Sequence, residues 1–254
     1  MRWPGFRRVR SQVCKRLQRR IEQLQLKDLF NYRVYLTEHA DEWAILDKIC
    51  QITISRFYRD KMVFSFLGEQ VFPYLVNQLE QRQETKLRIW CAGCGAGEEP
   101  YTLALLWAMQ FHLAHPSIKL SIVGSDSNPQ MMGRAKQAIY PYSAVKNLPS
   151  AWRETAFTQH NGQYHLLPEH QQNVKFLCQD LRKELPDGLH DLVLCRNLAF
   201  TYFNEALQRE VAQRIRDNLI PGGVLMIGVH EALPSECAGF TAWSERLGIY
   251  RRQT

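Results

Sequence analysis

Apolar positions in the first eighty residues recur at the helical period. Val9, Val13, Leu17, Ile21 and Leu24 fall near one face, with Arg10, Lys15, Arg16, Arg19 and Arg20 filling the others. Similar stretches run over 29–36, 42–49 and 64–79, almost uninterrupted by Gly or Pro. The pattern predicts a small all-α domain over 1–82, ending at the polar segment "EQRQET". From Lys86 the texture changes. "LRIWCA", "LSIVGS", "VKFLCQ", "DLVLC" and "VLMIG" are apolar runs of strand length, separated by amphipathic helical patterns over 100–112, 129–139 and 205–219. Strands apolar on both sides that alternate with helices imply a mostly parallel, doubly wound α/β sheet covered on both faces, here over 83–254. Asn161 and Gly162, between short alternating runs, predict a hairpin in a small antiparallel subdomain around 155–176. The tail "GFTAWSERLGIYRR" predicts a last hairpin at the sheet edge.

Composition narrows the class. A 254-residue chain with 45% hydrophobic and 22% charged residues reads as globular, and no apolar run approaches the roughly 20 residues of a membrane span. No membrane insertion is expected. Residues 1–20 hold eight Lys/Arg and no acid, so of the net charge of +7 the rest of the chain carries −1. The basic character belongs to one arm, suited to an acidic partner. The cysteines are seven, an odd number, and scattered, which predicts a reducing, cytoplasmic setting with thiols used as small hydrophobes. Cys91 and Cys94 form a Cys-x-x-Cys pair, but no second Cys/His pair stands at zinc-like spacing and no thioredoxin-type unit follows. No metal is expected.

The chemistry concentrates in "KLRIWCAGCGAGEEPYTLALLW", where a strand-like run passes through Gly93, Gly95 and Gly97 into a helix-like run. Such a turn lets backbone approach an adenosine-containing ligand, and NAD, FAD and S-adenosylmethionine folds all use it. Its neighbours discriminate. A dinucleotide lays its pyrophosphate on the first turn of that helix, where this chain has Glu98 and Glu99. Two carboxylates against a pyrophosphate are a clash of several kcal/mol at low effective dielectric. S-adenosylmethionine has no phosphate and carries an ammonium and a sulfonium, so the same acids attract it. Asp126, at the end of the next predicted strand, falls where such folds place a carboxylate on the ribose hydroxyls.

"IWCAGCGAGEEPYTLAL" resembles the cofactor loop of the CheR-type chemoreceptor glutamate methyltransferases. "ITISRFYRD", "DLVLCRNLAFTYF" and "NLIPGGVLMIGVHE" are similar to three further motifs of that family, in the same order along nearly the whole chain. The resemblance implies a Rossmann-like class I methyltransferase domain behind an N-terminal helical domain. It implies methyl transfer from S-adenosylmethionine to glutamate carboxylates of an acidic helical protein, a chemoreceptor cytoplasmic region being the family's acceptor. By position it implies cofactor contacts at Thr53, Ser55, Arg59, Glu98, Asp126, Asp180, Leu181, Asn197 and Leu198, joined by Gly93 and Gly95 of the turn. Arg59 and Tyr202 would lie near the reacting methyl, with Glu99 a neighbouring candidate for the role of Glu98. Phe57, Tyr58, Tyr202 and Phe203 are candidate walls of a dry site. The chain departs from the family pattern by one residue more between Asn197 and Tyr202 and by His230 in place of a usual Ser. A nucleic-acid or small-molecule methyltransferase, and a cofactor-binding docking protein without turnover, are the competing expectations. The sequence has no base-flipping motif and no aromatics interleaved with the basic arm, which disfavours the nucleic-acid reading.

Overall fold

The computed structural model describes residues 3–6, 9–50, 55–235, 237 and 239–253. It divides into two compact units, Met1–Ile54 and Ser55–Thr254. Among the described residues no helix is long and apolar enough to cross a membrane.

The first unit holds α1 (Arg10–Gln23), α2 (Leu29–Glu38) and α3 (Glu42–Cys50). Asp28 caps α2, its carboxylate accepting from the Asn31 N–H at 2.9 Å. Ile21, Tyr32 and Leu36 form the small core. Beside it the buried Glu42 carboxylate takes a two-pronged contact from Arg20, the shorter at 2.6 Å, and the Tyr32 hydroxyl at 2.9 Å. Arg20, counted from the sequence with the basic face, is thus spent on an internal pair.

The second unit begins with one continuous helical rod: α4 (Lys61–Phe66), a π-helical turn over Leu67–Val71, and α5 (Phe72–Gln81). Pro73 explains the widened turn. It has no N–H for the preceding turn, and its ring would strike the carbonyl four residues back in tight α geometry. Val63, Phe64, Leu67, Phe72, Leu75 and Leu79 are buried in one core with Leu87, Ile89, Leu103 and Leu106. The helix read over 64–79 therefore exists but belongs with the sheet, whose face it covers. The division between units falls after Ile54 rather than near residue 82.

The rest alternates strands and helices. In chain order come β1 (Lys86–Ala92), α6 (Glu98–Gln110), β2 (Lys119–Asp126) and α7 (Pro129–Gln137). An inserted subdomain follows: β3 (Ile139–Pro141), α8 (Tyr142–Val145), α9 (Ser150–Ala156), β4 (Phe157–His160) and β5 (Gln163–Leu166). The chain then returns through β6 (Val174–Cys178), β7 (His190–Cys195), the one-turn α10 (Ala199–Tyr202), α11 (Glu205–Asn218), β8 (Leu219–Ile227), β9 (Phe240–Ser244) and β10 (Ile249–Arg252). The seven strands of the main sheet run in the order β6-β2-β1-β7-β8-β10-β9. The first five are parallel, and β10 and β9 form the antiparallel edge hairpin that the tail predicts. This is the expected doubly wound sheet. The chain runs outward from β1 in one direction through β2 and in the other through β7, so the crevice at the strand carboxyl ends opens at β1.

The Asn161–Gly162 hairpin joins β4 to β5, and a third strand, β3, comes from upstream residues that the periodicity assigns to a helix end. Ala138, in the left-handed region at φ 53°, stops α7 and turns the chain into β3. Cys91, Cys94 and Cys195 are buried, as packing residues should be. Burial raises all three thiols, which removes them from thiolate chemistry. Cys178 departs from the expectation and is exposed at the end of β6.

Candidate active site

The loop after β1 is pinned to β2 at both ends of its turn. Gly93 N–H and Cys94 N–H donate to the Ser125 carbonyl at 2.7 and 3.0 Å. Gly95 N–H donates to the Asp126 carboxylate at 3.0 Å, and the other Asp126 oxygen accepts from Asn128 N–H at 2.9 Å. Burial raises the Asp126 carboxyl above its usual range, and these two amides oppose that shift. Gly93 is required twice over. Its φ is +71°, and a Cβ there would stand 2.4 Å from Leu198 Cδ2. The close approach brings the β7 side of the crevice, where Leu198 sits, onto the glycine turn.

The two adjacent acids of α6 have separate surroundings. Glu98 is buried, 4% exposed, and its Oε2 has no hydrogen-bond partner among the described residues. Burial raises its carboxyl against hydrogen bonds from its own backbone and from Ser55. A buried carboxylate oxygen left unmatched is costly unless a cationic or donor ligand completes it. Glu99 is already used: its Oε2 accepts from Arg196 Nη1 at 2.8 Å. The donor set therefore fits a positively charged, phosphate-free adenosine compound, with Glu98 the acid left open for it.

Arg196, of the Cys-Arg-Asn sequence, is the element that reasoning from sequence missed. Its side chain is 2% exposed and it grips Asp60 at 2.6 Å as well as Glu99, with its guanidinium over the Phe64 ring. Asp60 and Tyr58 both lie in the left-handed region, at φ 63° and 54°, and Arg59 between them reaches Asn197 Oδ1 at 3.2 Å. Tyr58 N–H is held by the Thr102 hydroxyl at 3.1 Å, and that hydroxyl donates to the Glu98 carbonyl at 2.6 Å. Asn197, at φ 56°, donates its own N–H to Glu231 at 2.8 Å. The Tyr202 phenol is raised by burial and pulled the other way by Arg59, which places the two within electrostatic reach. The segment after Asn197 closes as α10, with Tyr202 N–H on the Leu198 carbonyl at 2.9 Å.

Ser55, Arg59, Gly93, Gly95, Glu98, Asp126, Asn197 and Leu198 thus meet around one crevice through bonds and contacts already named, with the Tyr202 phenol within electrostatic reach of Arg59. Thr53 lies outside the described residues. Asp180 follows β6 and is closed onto Arg182, the nearest contact at 2.8 Å; burial works to raise it, but Arg182 and Lys183 win and hold it below its usual range. Leu181 is buried in the core that also holds Trp90 and Val193. The aromatic wall is smaller than expected. Phe57 packs edge-on against Tyr140 and Phe157, Tyr58 stacks on Phe64, and Phe203 lies in the core, so these three are framework.

Residues 53–248 match the family model described as "CheR methyltransferase, SAM binding domain". The chain is 34% identical over 94% of its length to an uncharacterized 104.1 kDa protein of Rhodobacter capsulatus, of which it spans 25%. It is 31% identical over 72% of its length to the chemotaxis protein methyltransferase of Listeria innocua, spanning 66% of that protein. Against chemotaxis protein methyltransferase 2 of Vibrio cholerae it is 31% identical over 87% of its length and 77% of the relative's. The first relatives are therefore longer than the stretch they share with this chain.

Proposed function

Because the chain belongs to the CheR methyltransferase family, we propose that it transfers a methyl group from S-adenosylmethionine to glutamate side chains. The acceptor in this reading is an acidic, helical, chemoreceptor-like protein region reached in the cytoplasm, and the products are glutamate methyl esters and S-adenosylhomocysteine. The observation that carries it is the buried, unmatched Oε2 of Glu98 beside the glycine turn. The four cations Arg10, Lys15, Arg16 and Arg19 on α1 support an acidic partner.

S-adenosylmethionine, when bound, supplies an electrophilic methyl on a sulfonium. Glu98 would offer negative charge to the cationic end of such a ligand, Asp126, which braces the turn, would hold its ribose, and Leu198 packs over Gly93 to narrow the crevice. The acceptor carboxylate is ionised at neutral pH and is itself the nucleophile, so the chain has no proton to remove. What remains is alignment, worth on the order of 7–11 kcal/mol in favourable cases. Arg59 and Tyr202 do this: the guanidinium pairs with a carboxylate, and the half-buried ring keeps water from it.

The test is incubation with methyl-labelled S-adenosylmethionine and a chemoreceptor cytoplasmic fragment with Glu-rich helices. Label that enters the protein and is released by mild alkali supports the reading. Alkali-stable label, or label in RNA from the same lysate, refutes the glutamate acceptor.

A further inference from the structure

Glu231 lies after β8, outside every set of residues so far assigned a role, yet its carboxylate joins the segment after β7 to the turn after β8. Oε2 accepts from Asn197 N–H at 2.8 Å and from Gly228 N–H at 2.6 Å. Oε1 accepts from the Thr201 hydroxyl at 2.5 Å. Its own N–H donates to the Gly228 carbonyl at 2.8 Å, closing a tight turn that aims the side chain back under the loop. Gly228 has to be glycine for this, since a Cβ there would stand 2.8 Å from Glu231 Oε2 and 3.1 Å from Asn197 Oδ1.

Two of these bonds, to Asn197 and to Thr201, each lead to one working side chain. Asn197 is held left-handed, and its Oδ1 is the acceptor for Arg59. Thr201 is the residue before Tyr202 on the single turn of α10, too short to hold its own orientation. The geometry points to Glu231 as the positioning residue of this site, setting Arg59 through Asn197 and Tyr202 through Thr201. The role is one of acceptor placement. A glutamine can offer its carbonyl to the two amides and turn its NH2 to the Thr201 hydroxyl, which then accepts instead of donating. A leucine of similar volume can do neither.

The inference rests on the reading of Arg59 and Tyr202 proposed above. Three variants of the whole protein test it: Glu231→Leu, Glu231→Gln and Thr201→Val. Each is read by calorimetric binding of S-adenosylhomocysteine, by kcat and acceptor KM for alkali-labile methylation, and by thermal melting. Glu231→Leu is expected to weaken S-adenosylhomocysteine about tenfold and to lower kcat about 100-fold, with acceptor KM within about threefold of wild type. Glu231→Gln should restore binding to within about threefold and kcat to within about fivefold. Thr201→Val should leave binding unchanged and lower kcat about five- to tenfold. A Gln variant as impaired as the Leu variant overturns the inference, as does a Val variant with wild-type kcat, or losses in all three that simply follow melting temperature. If Glu231→Leu does not fold, a Gln variant more than about fivefold below wild-type kcat, or a Val variant with wild-type kcat, overturns the inference. If the wild type binds S-adenosylhomocysteine but esterifies no glutamate, the acceptor assignment fails instead. The binding contrast between Leu and Gln then still upholds or overturns the link from Glu231 to Asn197.

Discussion

Replacing Glu98 by glutamine should move affinity and stability in opposite directions. The side chain keeps its size and its neighbours, so the change removes charge alone. With a cationic ligand in place, two unit charges 4 Å apart attract by about 4 kcal/mol at an effective dielectric near 20, part of which desolvation cancels. A charge-assisted hydrogen bond nets about 1.5–3 kcal/mol, so Glu98→Gln should weaken S-adenosylhomocysteine roughly 10- to 100-fold. The free protein should respond with the other sign. Burial raises the folded-state carboxyl, so ionised Glu98 costs stability. That cost is absent below the ordinary carboxyl range and complete above the raised value. Glu98→Gln should therefore melt higher than wild type at pH 7, and the gap should close as pH falls toward 4. The neighbouring Glu99→Gln is the contrast, because it breaks a pair with buried Arg196 and should melt lower. Calorimetry at pH 7 and melting curves between pH 4 and 8 measure both effects. Unchanged affinity, or a lower melting temperature at pH 7 for Glu98→Gln, would refute the assignment of Glu98 Oε2 as the unmatched oxygen that awaits a cationic ligand.

Gly93→Ala should weaken S-adenosylhomocysteine in the same calorimeter. The left-handed backbone alone costs about 1–2 kcal/mol for alanine, and the new methyl displaces Leu198 from 2.4 Å. Arg196→Met should lower the unfolding free energy by about 3–5 kcal/mol, read by urea titration, because Asp60 and Glu99 lose their shared cation. Asp126→Ala frees the Gly95 and Asn128 amides and should cost about 1–3 kcal/mol of S-adenosylhomocysteine binding.

The parallel sheet was legible because its strands are apolar on both sides, and the edge hairpin because its tail carries turn residues between short apolar runs. Sheet-forming segments declare themselves by such local pattern. The placement of 61–81 did not, since an amphipathic helix reads the same whether it covers helices or a sheet. The short β3 was hidden for a different reason: three residues cannot establish a period, and the Ala138 turn that creates them carries no glycine signal. In the site, Gly93, Glu98 and Asp126 could be argued from charge and spacing along one stretch. Arg196, Asp60 and Glu231 could not, because their partners are remote in sequence and appear only when β7 and β8 bring them beside α6 and the 55–60 segment. Arg196 and Glu231 did stand inside the motif segments "DLVLCRNLAFTYF" and "NLIPGGVLMIGVHE". A charged residue embedded at the end of an apolar strand was the available signal, since such a charge must find a partner inside the fold.

The same remote contacts explain why the site is strained where it is. Tyr58, Asp60 and Asn197 are three left-handed non-glycine residues, and all three flank or contact Arg59. Such conformations cost of order 1–3 kcal/mol each and persist only when their surroundings over-determine them. Each has a separate anchor: Thr102 for Tyr58, Arg196 for Asp60 and Glu231 for Asn197. The three anchors use separate hydrogen bonds, so each fixes its own residue and loss of one releases that residue. The Asp60 carboxylate, 3.9 Å from Arg59 Nε, is itself tied to Arg196, so strain gathered around this guanidinium suits the proposed reaction, whose nucleophile arrives already ionised. In the reading proposed above, stored energy of this kind would keep Arg59 fixed before the acceptor enters, with the backbone around it held by three different parts of the fold.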